Sequence, residues 1–318
     1  MRSYRLTVLL LACLAVPVRA DEAAAWLQRL AVADRQQGLQ GTFIYERHGS
    51  FSSHAVWRGL DGQGRMRERL QQLDGPALEV FSVDGQLQCV AGGMAEQLAG
   101  AAFWPSRSLE AERLQRWYEL RLVGESRVAG RDAVVLLLAP RDRHRYAFEL
   151  HLDRQSALPL KSLLRDAQGQ LLERFQLTSF DIDQPPSEAE LQPGPGCRRL
   201  PPAPPAAVVR GRWTAQWLPE GFELMGVQLR ALEGRQAALE FITYADGLAR
   251  FSVFVETLAG DRVEDARHQL GPTVIVSRRV SLDEGDYMVT VVGEIPFGTA
   301  ERVAVSMALA AVDGEGAP

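Results

Sequence analysis

Residues 184–212 read QPPSEAELQPGPGCRRLPPAPPAAVVRGR, and this proline-rich stretch decides how the chain is organised. Eight of the 17 prolines lie between Pro185 and Pro205. Proline fixes the backbone angle φ and lacks an N–H donor, so the stretch forms neither a helix interior nor a central strand. Such stretches act as semi-rigid extended spacers. The sequence therefore predicts a linker at 183–211 that joins two unequal, mutually mobile domains at 21–182 and 212–318.

The first 20 residues have the pattern of a secretory signal peptide. Two arginines form the positive n-region, an apolar stretch follows at 6–16, and a small-x-small cleavage site ends at Ala20. The apolar stretch is about half as long as the roughly 20 residues that a membrane span requires, which argues against an anchor. We expect cleavage after Ala20 and export of the chain. A competing interpretation is a lipobox that makes Cys13 a lipidated N-terminus.

The composition is that of a folded protein in which the predicted cleavage leaves two cysteines. An apolar share of 46% is enough for two packed cores, and the net charge of −5 argues against nucleic acid as a partner. In an oxidising compartment Cys89 and Cys197 are either bridged or free thiols, and the sequence leaves both alternatives open. A bridge would attach the linker to the first domain.

The first domain reads as a series of short strands joined by hairpin turns. Asp84-Gly85 is a strong hairpin signal. A helix at 23–37, with Trp26, Leu27, Leu30 and Ala33 at helical spacing, precedes the strands, and one or two helices are expected within 95–118. We therefore predict a large, curled antiparallel half-barrel with helices in its concavity. The predicted strands are 42–47, 53–58, 65–70, 79–83, 86–90, 118–126, 133–139, 146–153, 160–166 and 171–180.

The second domain reads as a small α+β unit. Its predicted helices are 263–270 and 298–309, and the second of these begins with a capping threonine and an early acid. The fold class of the whole chain is therefore mainly β, with a smaller α+β domain after the linker. The predicted strands are 240–243, 249–256, 273–280 and 287–294.

Motifs for catalysis or metal binding do not appear in the sequence. The five histidines are scattered without ligand spacing, and Gly124-Glu125-Ser126-Arg127-Val128 lacks the final glycine of a nucleophile elbow. We therefore predict no catalytic residue, no metal site, no cofactor and no enzymatic activity. A hydrolase would need a serine, a histidine and an acid brought together in a cleft from distant positions.

Two features point to binding instead. Apolar residues occur on both faces of one strand, with Phe43 and Tyr45 on one side and Ile44 on the other. Such a strand is covered on both sides or lines an open apolar cavity that suits an acyl chain or an apolar peptide. The basic run Arg141, Arg143 and Arg145 either holds phosphate at the rim of that cavity or lies in a solvated loop.

Seven blocks of sequence resemble the RseB/MucB family, and most closely its MucB branch. They cover nearly the whole chain after the predicted cleavage site, in order, whereas the linker matches only in composition. The blocks begin at Gly41, Arg121, His144, Gln170, Tyr244, Gln269 and Tyr287 and read GTFIYERHGSFSSHAVWR, RLVGESRVAGRDAVVL, HRYAFELHLDRQSALPLKSLL, QLLERFQLTSF, YADGLARFSVFVE, QLGPTVIVSRR and YMVTVVGEIPFGTAERVA.

This resemblance implies a periplasmic negative regulator of the sigma-E type envelope stress response. The first domain would resemble the lipoprotein carriers LolA and LolB, with a lipid-binding cavity. The second would contact the periplasmic part of a membrane anti-sigma factor of the RseA or MucA type. The bound regulator would shield that factor from the site-1 protease, and lipid, lipopolysaccharide or lipoprotein acyl chains would displace it. In the MucB branch the output includes alginate control.

Residue choices within this picture do not follow from the resemblance. We expect the lipid cavity to be lined by aromatic residues of the first domain, namely Phe43, Tyr45, Trp57, Phe81 and Trp104. We expect the partner surface to lie around Arg278, Arg279, Tyr287 and Glu294. A lipid or lipoprotein carrier of the LolA/LolB type is the alternative function, although a pure carrier needs no second domain. The oligomeric state is left open, a homo-oligomer included.

Overall fold

The structure is a computed structural model that describes residues 17–92, 111–200, 211–231, 238–258 and 263–310. We refer to 17–200 as the N-terminal part and to 211–310 as the C-terminal part. No helix within these ranges is both long and apolar enough to cross a membrane.

The N-terminal part is built on one antiparallel sheet of eleven strands with two helices. Two strands, β11 and β6, form the ends of the sheet, so it curls without closing, in the order β11-β5-β4-β3-β2-β1-β10-β9-β8-β7-β6. The elements are α1 (Pro17–Gln36), β1 (Leu39–Arg47), β2 (Ser50–Leu60), β3 (Met66–Gln72), β4 (Glu79–Val83), β5 (Gln86–Ala91), α2 (Ala111–Trp117), β6 (Tyr118–Val128), β7 (Arg131–Pro140), β8 (Ala147–Asp153), β9 (Pro159–Arg165), β10 (Leu171–Asp181) and β11 (Arg198–Arg199).

Helix α1 packs against the inner face of this sheet and fills much of its concavity. Trp26, Leu27 and Leu30 are buried against leucines of β6, β7 and β8, and Ala33 packs with Phe43 and Phe175 farther along the sheet. The predicted helical spacing therefore does mark the buried side of α1. The predicted fold class, a curled antiparallel sheet with helices and a smaller second unit, is confirmed. Helix α1 also runs across the predicted cleavage position at Ala20.

The C-terminal part contains a six-stranded antiparallel sheet that α3 covers on one side. The strand order is β13-β14-β15-β18-β17-β16, and β12 pairs separately with β19. Valines of the central strands bury Val303 and Ala304 of α3 against the sheet. The elements are β12 (Trp213–Ala215), β13 (Glu223–Ala231), β14 (Ala238–Ala245), β15 (Arg250–Thr257), β16 (Ala266–Leu270), β17 (Thr273–Leu282), β18 (Gly285–Gly293), α3 (Phe297–Ser306) and β19 (Met307–Leu309).

Two predictions for the C-terminal part were wrong. The helix predicted at 263–270 is the edge strand β16, paired with β17. Val263 and Leu270 are exposed, so their spacing marks no buried helical face. The helix predicted at 298–309 ends at Ser306, because Met307 adopts extended backbone angles and begins β19.

The described half of the proline-rich stretch packs on the outer face of the first sheet. Leu191 is buried and lies against Gly59, and the backbone N–H of Gly194 donates to the Glu79 carboxylate. Arg198–Arg199 then adds β11 to the sheet beside β5. A disulfide joins Cys89 to Cys197, so of the two alternatives left open by the sequence the structure has the bridged one. Residues 183–200 thus pack as part of the N-terminal part.

Candidate functional site: the junction between the two parts

A buried ion pair joins the N-terminal and C-terminal parts of the chain. Arg145 precedes β8, and Asp246 follows β14 at the turn into β15. The two side chains are 0% exposed, and Arg145 Nε donates to Asp246 Oδ2 at 2.6 Å. Charges so far from water are stable only when they are paired and hydrogen-bonded. This pair therefore holds the two parts in one arrangement.

Each member of the pair has further hydrogen-bond partners. The Arg145 guanidinium also donates to the Asp142 carboxylate and to the backbone carbonyl of Glu220. Asp246 Oδ1 accepts the backbone N–H groups of Leu248 and Ala249 at 2.8 and 2.7 Å. The Asp246 carboxylate is thus satisfied within its own turn as well as across the junction, which fixes its position for Arg145.

Aromatic rings enclose the pair. The Arg145 guanidinium carbon lies 4.9 Å from the ring centre of Phe222 and 5.5 Å from that of Trp117. Tyr118 donates its hydroxyl proton to Asp246 Oδ2 at 3.3 Å. Burial and the neighbouring Asp246 carboxylate raise the pKa of Tyr118 well above its ordinary value, so this tyrosine stays a donor. The rings exclude water and strengthen the ion pair.

Two residues beside Arg145 add contacts across the junction. Tyr146 donates its hydroxyl proton to the Ile295 carbonyl at 3.0 Å. His144 Nδ1 lies 3.0 Å from Thr299 Oγ1, at the first turn of α3. Burial lowers the pKa of His144 below its ordinary value of 6.5. The cationic groups of Arg143, Arg145 and Arg302 also lower this pKa, whereas the Asp142 carboxylate raises it. The imidazole at this contact is therefore neutral near pH 7.

Two glycines let the surfaces approach closely. Gly221 has a φ of +85°, and a Cβ at this position would lie 2.2 Å from Cε2 of Trp117. Gly271 has a φ of +58°, and a Cβ there would lie 2.4 Å from Cγ of Arg47, whose guanidinium donates to Thr273. Both positions need the backbone angles and the missing side chain of glycine.

The residues predicted to line a lipid cavity are divided between the two faces of the first sheet. Phe43 and Tyr45 lie on the inner face, where Phe43 is 1% exposed and its ring centre is 4.8 Å from that of Phe175. Trp57 and Phe81 each pair with Arg69 of β3. The next residue of that strand, Leu70, lies in the inner core, so Arg69 and its two partners lie on the outer face. Trp104 lies outside the described residues. The four described residues do not line one cavity together.

The residues predicted to contact a partner are engaged within the chain. Arg278 binds the Glu301 carboxylate of α3, and Arg279 binds Asp286 at 2.5 Å. Tyr287 is buried, and its ring centre lies 4.8 Å from that of Trp213 in a T-shaped contact. Glu294 immediately precedes Ile295, so it lies beside the junction. Of the two arginines, Arg279 is the more exposed, with 45% of its side chain accessible against 19% for Arg278.

No short-range sequence pattern predicts the junction itself. The basic run at 141–145 was interpreted as a phosphate site or a solvated loop, yet its last arginine is 2% exposed and faces the other part of the chain. Asp246 stands before Gly247-Leu248, an ordinary turn signal. The short-range pattern carries no information about a partner 101 residues away.

A serine, a histidine and an acid do meet on the first sheet. Ser126 Oγ lies 2.6 Å from His151 Nδ1, and His151 Nε2 lies 2.9 Å from Glu149 Oε1. His151 is 6% exposed, and burial lowers the pKa of its imidazole. These contacts satisfy both nitrogens of a buried histidine on the outer face of paired strands, which accounts for them without catalysis. No cluster of three metal-ligating side chains occurs among the residues that the structure describes.

Comparison with known proteins gives matches over both parts of the chain. A family model described as the MucB/RseB N-terminal domain matches residues 22–195, and one described as the MucB/RseB C-terminal domain matches residues 209–308. The sigma factor AlgU regulatory protein MucB of Pseudomonas aeruginosa is 54% identical over 308 residues, which cover 96% of this chain and 98% of that protein. The sigma-E factor regulatory protein RseB of Escherichia coli K12 is 28% identical over 290 residues, 88% of each chain.

Solved structures of MucB are similar over 91% of this chain. A structure of MucB in complex with MucA(peri) has a TM-score of 0.80 at 53% identity, and this chain covers 99% of that MucB chain. A structure described as MucB has a TM-score of 0.70 at 52% identity, and this chain covers 98% of it. Taken with the two family models, which together match more than half of its residues, these likenesses establish that the chain belongs to the MucB/RseB family of sigma-factor regulatory proteins.

Proposed function

We propose that this protein is a periplasmic negative regulator that binds the periplasmic part of a membrane anti-sigma factor of the MucA or RseA type. Bound there, it shields the anti-sigma factor from the site-1 protease, and lipid, lipopolysaccharide or lipoprotein acyl chains release it. The observation that carries the proposal is the likeness to MucB in complex with MucA(peri), at 53% identity over 91% of this chain.

Three further observations support the proposal. The chain as a whole is more similar to MucB in its two complexes with MucA, with TM-scores of 0.80 and 0.81, than to a third structure described as MucB, with 0.70. The Cys89–Cys197 bridge suits an oxidising compartment such as the periplasm. Steric shielding requires a surface and a defined arrangement of domains, and the buried Arg145–Asp246 pair provides the second.

The binding step is tested by titrating the chain without residues 1–20 with the periplasmic segment of the anti-sigma factor from the same organism, using calorimetry. We expect a saturable complex. Arg279→Glu should weaken it about tenfold or more if this face of the C-terminal part meets the partner, because a reversed charge in a contact costs several kcal/mol. Arg121→Glu, on an exposed strand of the N-terminal part, is the matched control. No heat of binding at any concentration would refute the proposal.

A carrier of lipid or lipoprotein is the second candidate, because a curled sheet with a helix in its concavity also suits a carrier. A carrier moves labelled lipid from donor to acceptor vesicles, whereas a regulator that only senses lipid does not. Rapid vesicle-to-vesicle transfer by the full chain, without binding to the anti-sigma segment, would favour the carrier.

A further inference from the structure

The N-terminal part carries an open groove between α1 and α2, and two of its lining residues, Ala31 and Ala111, belong to the apolar core of the sheet. Its volume is about 590 Å³, within the range of small-molecule sites. The floor is apolar and the rim is basic. Ala31, Val32 and Ala111 form the floor, and Arg35, Arg113 and Arg116 form the rim.

The charge of the groove favours an anion. The lining contains three arginines and a single carboxylate, that of Glu112. Within the described ranges Arg35 and Arg116 form no ion pair. Arg113 Nη2 is buried and lacks a hydrogen-bond partner among the described atoms, although it lies 3.0 Å from Glu223 Oε2. The Glu223 carboxylate lies beside this nitrogen but does not form a hydrogen bond of good geometry with it, so an oxygen ligand that does would be stabilised.

The floor indicates what carries the anion. Val32 is 45% exposed although it lies on the helix that fills the sheet, and it adjoins the buried Ala31 and Ala111. An apolar surface beside three cations matches an amphiphile, since an acyl chain covers the floor while a phosphate meets the rim. An acidic peptide would satisfy the rim but leave the apolar floor uncovered.

The groove is connected to the junction through Arg113. Glu223 is the first residue of β13 in the C-terminal part. A methyl group added at Gly247, next to Asp246, would lie 3.8 Å from Arg113 Cδ, so the Arg113 stem runs along the C-terminal part. An oxygen ligand in the groove therefore competes with Glu223 for the same guanidinium.

We infer that the groove binds a phosphate-bearing single-chain lipid and that the bound phosphate takes Arg113 away from Glu223, which weakens the contact between the two parts. The inference rests on the proposed function, in which lipid releases the partner, and it assigns that signal a site and a route to the C-terminal part.

The test is direct lipid binding to the full chain, with lauroyl lysophosphatidic acid below its micellar concentration as the probe. Monolauroyl glycerol and inorganic phosphate are the comparison ligands, and each should bind at least tenfold more weakly than the probe. Arg113→Ala should weaken binding of the probe about tenfold, as expected for the loss of a charge-assisted hydrogen bond. Arg116→Ala, at an exposed position, tests the rim without disturbing the junction.

Glu223→Gln should act in the opposite direction. It removes the competitor for Arg113, and because the Glu223 side chain is 67% exposed, the gain in affinity should be about twofold to fivefold. Arg121→Ala is the control for removal of an exposed arginine and should leave binding unchanged. Equal affinities for Arg113→Ala, Arg116→Ala, Glu223→Gln and the control would overturn the site.

Two outcomes separate this inference from the proposed function. If the variants shift lipid affinity as expected but lipid leaves anti-sigma binding unchanged, the site stands and the proposed release fails. If lipid releases the partner equally well from Arg113→Ala and the unaltered chain, the release stands and this site is wrong.

Discussion

The buried pair at the junction predicts that neutralising one member is far more damaging than neutralising both. Asp246→Asn keeps an oxygen for the N–H groups of Leu248 and Ala249 but leaves the Arg145 charge, 0% exposed, without its main counterion. Loss of one partner from a buried pair costs about 3 to 5 kcal/mol. This loss is a large fraction of the roughly 5 to 15 kcal/mol by which whole proteins are stable, and because it falls on the junction, we expect the two parts of the chain to separate.

Adding Arg145→Met to Asp246→Asn should restore part of that loss. The second change removes the arginine charge, which in Asp246→Asn keeps only the partly exposed Asp142 carboxylate as a counterion. A methionine side chain also suits the ring-lined space beside Phe222 and Trp117. The double variant should therefore be more stable than Asp246→Asn alone by about 1 to 3 kcal/mol.

The assay is urea unfolding combined with small-angle X-ray scattering at a concentration where the chain is monomeric. We expect Asp246→Asn to give a larger radius of gyration and two unfolding transitions, and the double variant to recover a compact shape. Arg121→Met removes the exposed Arg121–Glu119 pair, 51% and 53% accessible, and should change stability by less than about 0.5 kcal/mol. If Asp246→Asn behaves like Arg121→Met, the pair does not hold the junction.

Three further predictions follow from the junction and the disulfide. Burial lowers the pKa of His144, so the unfolded chain takes up a proton there more readily than the folded one, and stability should fall as the pH is lowered. His144→Gln should therefore reduce the fall in melting temperature between about pH 7.5 and about pH 5. Replacing Cys89 and Cys197 by serine, 108 residues apart, should cost about 3 to 5 kcal/mol in urea unfolding; unchanged stability would show that the bridge does not form. Gly221→Ala should cost about 1 to 3 kcal/mol through its clash with Trp117, whereas Gly298→Ala, in open space on α3, should be neutral or slightly stabilising in the same thermal scans.

The strands of the N-terminal part could be predicted because short local sequences specify the turns between them. Asp84 and Gly85 both adopt positive φ, of 49° and 73°, as a two-residue hairpin turn requires. The strand at 79–83 therefore begins and ends where the sequence placed it. The alternation of apolar and polar residues and the residue preferences of turns act over only a few positions, so both can be recognised in a single sequence.

The faces of those strands were harder to predict. Phe43 and Phe81 are both phenylalanines in strand-like segments. Phe43 lies in the inner core, whereas Phe81 lies on the outer face, where the proline-rich stretch packs. A sheet covered on both faces has apolar residues on both, so composition does not identify the cavity side. The helix predicted at 263–270 was wrong for a different reason: β16 is a largely exposed edge strand, so its sequence lacks the alternation of a half-buried strand.

The junction could not be predicted because its chemistry depends on docking. Arg145 in isolation belongs to a basic loop, and Asp246 to a turn. Their burial arises only when the two parts meet, and the distance along the chain hides the pairing. The resemblance to the family supplied the function that the residues alone did not.

The most direct test of the central claim is the rate at which purified site-1 protease cleaves the periplasmic segment of the anti-sigma factor in the presence of this protein. We predict that the protein lowers the cleavage rate in a saturable way, and that lauroyl lysophosphatidic acid restores it. A cleavage rate that stays the same at every concentration of the protein would contradict the account.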